Sequence, residues 1–181
     1  MLRTSVPLIG ALERIFLTLM TFEPHNQHIE AFRRLLQHLP GTNDNKHMLL
    51  KGHLLIEEQL KIVCSERVRR PKALKFSDPK WTAFQVISLA EALCGDDADE
   101  KLWNGLRKLN KLRNEVAHNL EPKGLSDKIA DFIQSWPSGI ANGSTDPDLF
   151  ITLSSMFVMV TKLNRDPLKK VVDMVPPTNA L

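Results

Sequence analysis

The sequence contains no tyrosine and only two cysteines among its 181 residues. Cys64 and Cys94 sit in otherwise apolar helical patterns and show no metal-ligand spacing. Free thiols in a reducing cytosol are therefore expected, and no metal site is read from them. A strong charge of one sign is also missing. The formal net charge is +3, too small to argue nucleic-acid binding from composition, so a local basic patch has to supply it. Nowhere do about eighteen apolar residues follow one another, so no membrane span is expected. The apolar stretch from Val6 to Met20 is interrupted by Glu13 and Arg14, and no small-residue cleavage site follows. No signal peptide is expected, and the location read from the chain is cytoplasmic. Internal repeats, useful strand-like alternation, a glycine-rich phosphate loop and a GxSxG motif are absent too. What is present, 43% hydrophobic and 25% charged residues, suits one soluble domain with a real core, or a small domain with an appendage.

The apolar periodicity is helical throughout. Leu8, Ile9, Leu12, Ile15, Phe16 and Leu19 predict a short helix over 7–21, ended by Pro24. Ile29, Phe32, Leu35, Leu36 and Leu39 predict a second from about Asn26 to Pro40-Gly41. Residues 1–40 thus read as a helical appendage. Glu23, His25 and His28 form a turn-like cluster for which no metal role is assigned. The longest helix is expected from Lys46 to about Arg70, capped by Asp44 or Asn45. Its ridge is Leu49, His53, Ile56, Leu60 and Val63. Pro71 and Pro79 bracket a linker, and Trp81 to Leu93 forms the next helix. An acidic turn, Gly95 to Glu100, then puts negative charge at the favourable end of the helix that follows. Ser126 to Trp136 reads as a helix capped by Ser126. Leu149 to Leu163 is more apolar than one face needs, which points to burial on several sides and to an interface between copies. Residues 166–181 read as a tail.

The stretch carrying chemistry is Leu109 to Asn119. At about 100° per residue, Leu102, Leu106, Leu109, Leu112, Val116 and Leu120 share one stripe. Arg113 falls inside that stripe, where a guanidinium must snorkel out or meet a carboxylate. Asn110, Asn114 and His118 follow at intervals of four along one flank. Pro122 and Gly124 close the helix near Asn119, which leaves His118 at its end. The negative pole there favours a protonated imidazole, the side chain suited to proton exchange near neutral pH. On the long helix, Glu57 lies on a largely apolar surface and is the carboxylate expected to pair with Arg113, with Glu58 as substitute. Pairing of both glutamates along their own helix is the other reading. Lys61, Arg67, Arg69, Arg70, Lys72 and Lys75 form a basic cluster suited either to RNA phosphates or to a solvated helix end. Lys111 adds a cation on the motif helix.

The spacing Arg113-Asn114-x-x-x-His118, late in a leucine-striped helix and just before a Pro/Gly break, resembles the Arg-(four to six residues)-His motif of the HEPN superfamily, the higher eukaryote and prokaryote nucleotide-binding domains. The resemblance spans roughly residues 46–165 in layout and rests in sequence on the ten or so residues around Arg113. It implies an all-α, up-and-down four-helix bundle, here with extra N-terminal helices, that is commonly a homodimer. It further implies a metal-independent ribonuclease without cofactor, of the kind found among toxins paired with an antitoxin, or else a catalytically silent regulatory or protein-binding module, as in mannitol-repressor relatives. Carried over by position, His118 is the general base or acid, Arg113 holds the scissile phosphate, and Asn114 orients the imidazole or bonds phosphate. Glu57 supports the arginine. Arg67, Arg69, Arg70, Lys72 and Lys111 are the RNA-binding candidates. Some HEPN toxins carry a tyrosine two residues after the histidine. Here that position is Leu120, so no such role is carried over.

Overall fold

A computed structural model describes residues 26–39, 44–77, 80–136 and 148–164. The expected helix over 7–21, Glu23 and His25, and the tail lie outside them. Among the described residues the structure is all-α, without strands. Its helices are α1 (Asn26–His38), α2 (Asn45–Arg67), α3 (Ala83–Cys94), α4 (Glu100–His118), α5 (Leu125–Ser135) and α6 (Leu149–Thr161), with one-turn 3₁₀ segments at Pro71–Ala73 and Gly95–Asp97. No helix among the described residues is long and apolar enough to cross a membrane.

Local chemistry sets most of the helix starts. Asp44 Oδ1 accepts the His47 amide at 3.1 Å and opens α2. Thr82 and Gln85 exchange backbone and side-chain bonds in a capping box that opens α3. Asp99 Oδ1 accepts the Lys101 amide at 2.8 Å at the start of α4, and Asp148 Oδ1 the Ile151 amide at 2.7 Å at the start of α6. The expected Ser126 cap of α5 is not used. The chain passes through a left-handed conformation at Gly124, with φ of 63°. Only glycine adopts that cheaply, so the helix opens earlier and Ser126 already lies inside its first turn. Trp81 stands just outside α3, donating from Nε1 to the Leu74 carbonyl at 2.7 Å and stacking edge-on to Phe76.

A single apolar cluster joins all six helices, α1 included through Phe32 and Leu35. α6 is its centre. It packs against α2, where Gly52 lets Leu153 approach, and against α4, where Gly105 faces Trp136 and Met156. Within one copy of the chain only Ile151 and Met159 of α6 are not fully buried. The apolar excess that suggested an interface between copies is taken up by the chain's own helices, α2 above all, with α1, α4 and α5. The contacts also fix directions. α4 runs against α2, from the Arg67 and Asp97 pair at one end to the bond from Lys46 Nζ to the Leu120 carbonyl at the other. α5 turns back along α4, with Lys128 paired to Glu115.

Candidate active site on the motif helix

Leu102, Leu106, Leu109 and Leu112 bury the apolar stripe of α4, while Leu120 lies beyond the helix end and is 97% exposed. The polar flank rises out of the core as the helix advances. Asn110 is buried, Asn114 half-buried and His118 fully at the surface in the last turn. Asn119 closes the helix by donating its side-chain amide to the Glu115 carbonyl at 2.9 Å.

Arg113 is half-buried. Its Nη1 donates to Asn114 Oδ1 at 3.0 Å, and its Nε is buried without a hydrogen-bond partner. The expected inter-helix pair with Glu57 is not formed, because each acid has a nearer cation. Lys61, one turn on along α2, takes Glu57 at 2.7 Å, and Arg34 of α1 takes Glu58 at 2.6 Å. Glu57 is thus satisfied within its own helix, whereas Glu58 is not. Among the described residues three arginines are not exposed: Arg67, Arg107 and Arg113. Arg67 is paired with Asp97 and Arg107 with Glu91. Arg113 has no carboxylate within ion-pair distance among the described residues.

One turn before Glu57 on α2 stands His53, which is 3% exposed and feels the charges of both Glu57 and Arg113. Its Nδ1 lies 3.8 Å from Glu57 Oε2, too long for a hydrogen bond, and has no other partner. Burial against Ile56, Leu60, Ile87 and Leu109 strips the ring of water and pushes its pKa down to about 4. Glu57 and the Asn110 side chain pull it upward, Arg113 and Lys61 further down. His53 is therefore neutral at neutral pH. The sequence placed His53 on the apolar ridge of α2, and an imidazole in such a ridge was the signal for this seam.

The basic cluster at the end of α2 is not brought to the motif. The Arg67 side chain is 5% exposed and turned inward. Its Nη1 donates to Asp97 Oδ2 at 2.6 Å and to the Leu93 carbonyl at 3.5 Å, and its Nη2 to the Leu163 carbonyl at 2.9 Å. It fastens the ends of α2, α3 and α6 and offers little charge to solvent. Arg69, Arg70 and Lys72 are exposed beside it. They lie at the α4 N-terminal end, a helix length of roughly 27 Å from His118 at 1.5 Å per residue. Lys111 is exposed on α4 itself. His28 is buried in α1, and among the described residues no group of three or more His, Cys, Asp or Glu side chains converges as a metal site would need. Both cysteines are buried and neither is in a disulfide, and burial, followed by the neighbouring Cys94, pushes Cys64 up to about 12.

Comparison with known proteins finds no matching family model, no matching curated protein and no matching solved structure.

Proposed function

We propose that this chain is a HEPN-like helical bundle that cleaves RNA, with Arg113, Asn114 and His118 as the reacting constellation. The observation that carries the reading is the Arg113 charge. It is half-buried and held by Asn114, and among the described residues it lacks the carboxylate partner that the other two arginines that are not exposed both have. An oriented guanidinium with no carboxylate partner among the described residues calls for an anion, and its planar fork suits a phosphate diester.

In this reading His118 removes the proton of an RNA 2′-hydroxyl, whose oxygen attacks the adjacent phosphorus. The bond to the 5′ oxygen breaks, and that oxygen takes up a proton. The products end in a 2′,3′-cyclic phosphate and a 5′-hydroxyl. Arg113 binds the non-bridging oxygens and stabilises the charge they gain. Asn114 orients Arg113 through Oδ1, and its amide NH₂ can donate to phosphate. The need for a 2′-hydroxyl makes RNA the substrate. Arg113 and His118 are five residues apart, about 140° around the helix, one facing the α2 seam and the other solvent. The reading therefore places them on one phosphate across a homodimer, with the arginine of one copy opposite the histidine of the other. The test is subunit mixing. Arg113→Ala and His118→Ala proteins, each inactive alone, recover part of the wild-type cleavage when mixed and re-equilibrated. A monomer in sedimentation, or no recovery from two folded dimers, contradicts it.

The second reading is a catalytically silent module that binds an antitoxin or other regulatory protein. It is favoured by the divergence of Arg113 and His118, about 140° apart around α4 within one chain. It requires neither side chain to act on phosphate, and His118→Ala leaves its partner binding unchanged.

A further inference from the structure

The α4–α5 contact leaves a groove of about 270 Å³ lined by Lys108, Lys111, Leu112, Glu115, Lys128 and Phe132, with Asp131 on its α5 wall. Its floor, Leu112 and Phe132, is buried and apolar. Of its three lysines, Lys128 is already compensated by Glu115. Lys108 and Lys111 are exposed, one turn apart on α4, and neither is in an ion pair among the described residues. The groove therefore has a cationic wall on α4 and an acidic edge on α5.

Its position relative to the motif gives this meaning. Around α4, Lys111 lies about 20° from His118 and Lys108 about 80° from it, while Arg113 lies about 140° away on the opposite side. Lys111 and His118 are seven residues apart, roughly 10 Å along the axis. An extended polyanion engaging His118 thus continues directly over Lys111 and Lys108. A volume just under the usual small-molecule range is too small to enclose a whole nucleotide and suits a strand passing across it.

We infer that the α4–α5 groove is the binding track for single-stranded RNA on the His118 side, with Lys108 and Lys111 on successive phosphates and the Leu112–Phe132 floor under a base or ribose. This rests on the RNA reading above and adds the path of the strand. It also relocates RNA contact away from the basic end of α2, which lies at the other end of α4. Asp131 works against the strand and confines it to the α4 wall.

The test uses a fluorescent single-stranded oligoribonucleotide in excess chelator, with fluorescence anisotropy read across a salt series. His118→Ala protein is the background, so that the RNA stays intact. Adding Lys108→Glu and Lys111→Glu together is expected to weaken binding at least tenfold and to lower the slope of log affinity against log salt by about 1.4, two single-strand phosphates' worth. Asp131→Asn, which removes the opposing charge, is expected to tighten binding two- to threefold. Unchanged affinity and slope in the charge-reversed protein, with its helical signal and melting temperature intact, overturn the groove. Wild type that binds RNA through these lysines without cleaving it overturns the ribonuclease reading and keeps the groove. Cleavage by wild type with binding indifferent to Lys108 and Lys111 does the reverse.

Discussion

Protonating His53 should cost this fold stability in a defined pH window. Its folded pKa of about 4 lies below the ordinary 6.5, so between these values the unfolded chain binds a proton that the folded chain refuses. Stability from this group is complete above pH 6.5 and falls as pH drops toward 4. The full difference, about 2.5 pKa units at 1.36 kcal/mol each, is about 3 kcal/mol, of which about 2 kcal/mol is lost between pH 7.5 and pH 5. The cause is desolvation first, opposed by Glu57 and Asn110 and reinforced by Arg113 and Lys61. Urea unfolding of wild type and His53→Gln at the two pH values isolates the term, since glutamine stays neutral beside Asn110 and every other titrating group is common to both. The wild type should lose about 2 kcal/mol more than the variant on going to pH 5. Equal losses in the two proteins would refute the reasoning and place a proton on His53 in the folded state.

Three further outcomes test the packing. Arg67→Met removes the three-point fastening to Asp97, Leu93 and Leu163 and should cost about 2–3 kcal/mol, a fall in melting temperature of about 5–10 °C; a melting temperature unchanged by calorimetry would show the clamp to be idle. Gly105→Ala would place a Cβ 2.5 Å from Trp136 Cζ3 and 3.0 Å from Met156 Cε. It should destabilise by about 1–3 kcal/mol and alter the near-UV tryptophan signal, whereas an unperturbed spectrum would deny the close approach of α4 to α5 and α6. Cys64, buried and pushed up to about 12, should resist iodoacetamide at pH 8 until the protein unfolds, as followed by peptide mass spectrometry.

The parts of the fold legible in the sequence were those governed by local chemistry. Asp44, the acidic turn from Gly95 to Glu100 and the Pro122-Gly124 break marked the ends of α2 and α4 because a cap, a charge at the dipole or a breaker acts on its own few residues. Gly124 was also visible, but its left-handed turn displaced Ser126 as the start of α5, a choice between neighbouring signals that only the backbone path decides. Non-local pairings were less legible. Arg67 looked like one of several surface cations because Asp97 and Leu163, its partners, are 30 and 96 residues away in the chain. Glu57 looked like the mate of Arg113 because both fell on apolar stripes, while Lys61, one turn along the same helix, satisfied it first. The apolar excess of α6 correctly implied burial on several sides. What buries it is the same chain's α2 above all, with α1, α4 and α5, which no composition of one helix could tell.

The ribonuclease reading is tested most directly by incubating wild-type and His118→Ala protein with mixed RNA in excess chelator and analysing the new ends. Wild type is expected to cleave to 2′,3′-cyclic phosphate and 5′-hydroxyl ends, and the variant to leave the RNA intact. Intact RNA after incubation with folded wild-type dimer, or equal cleavage by both proteins, would contradict it.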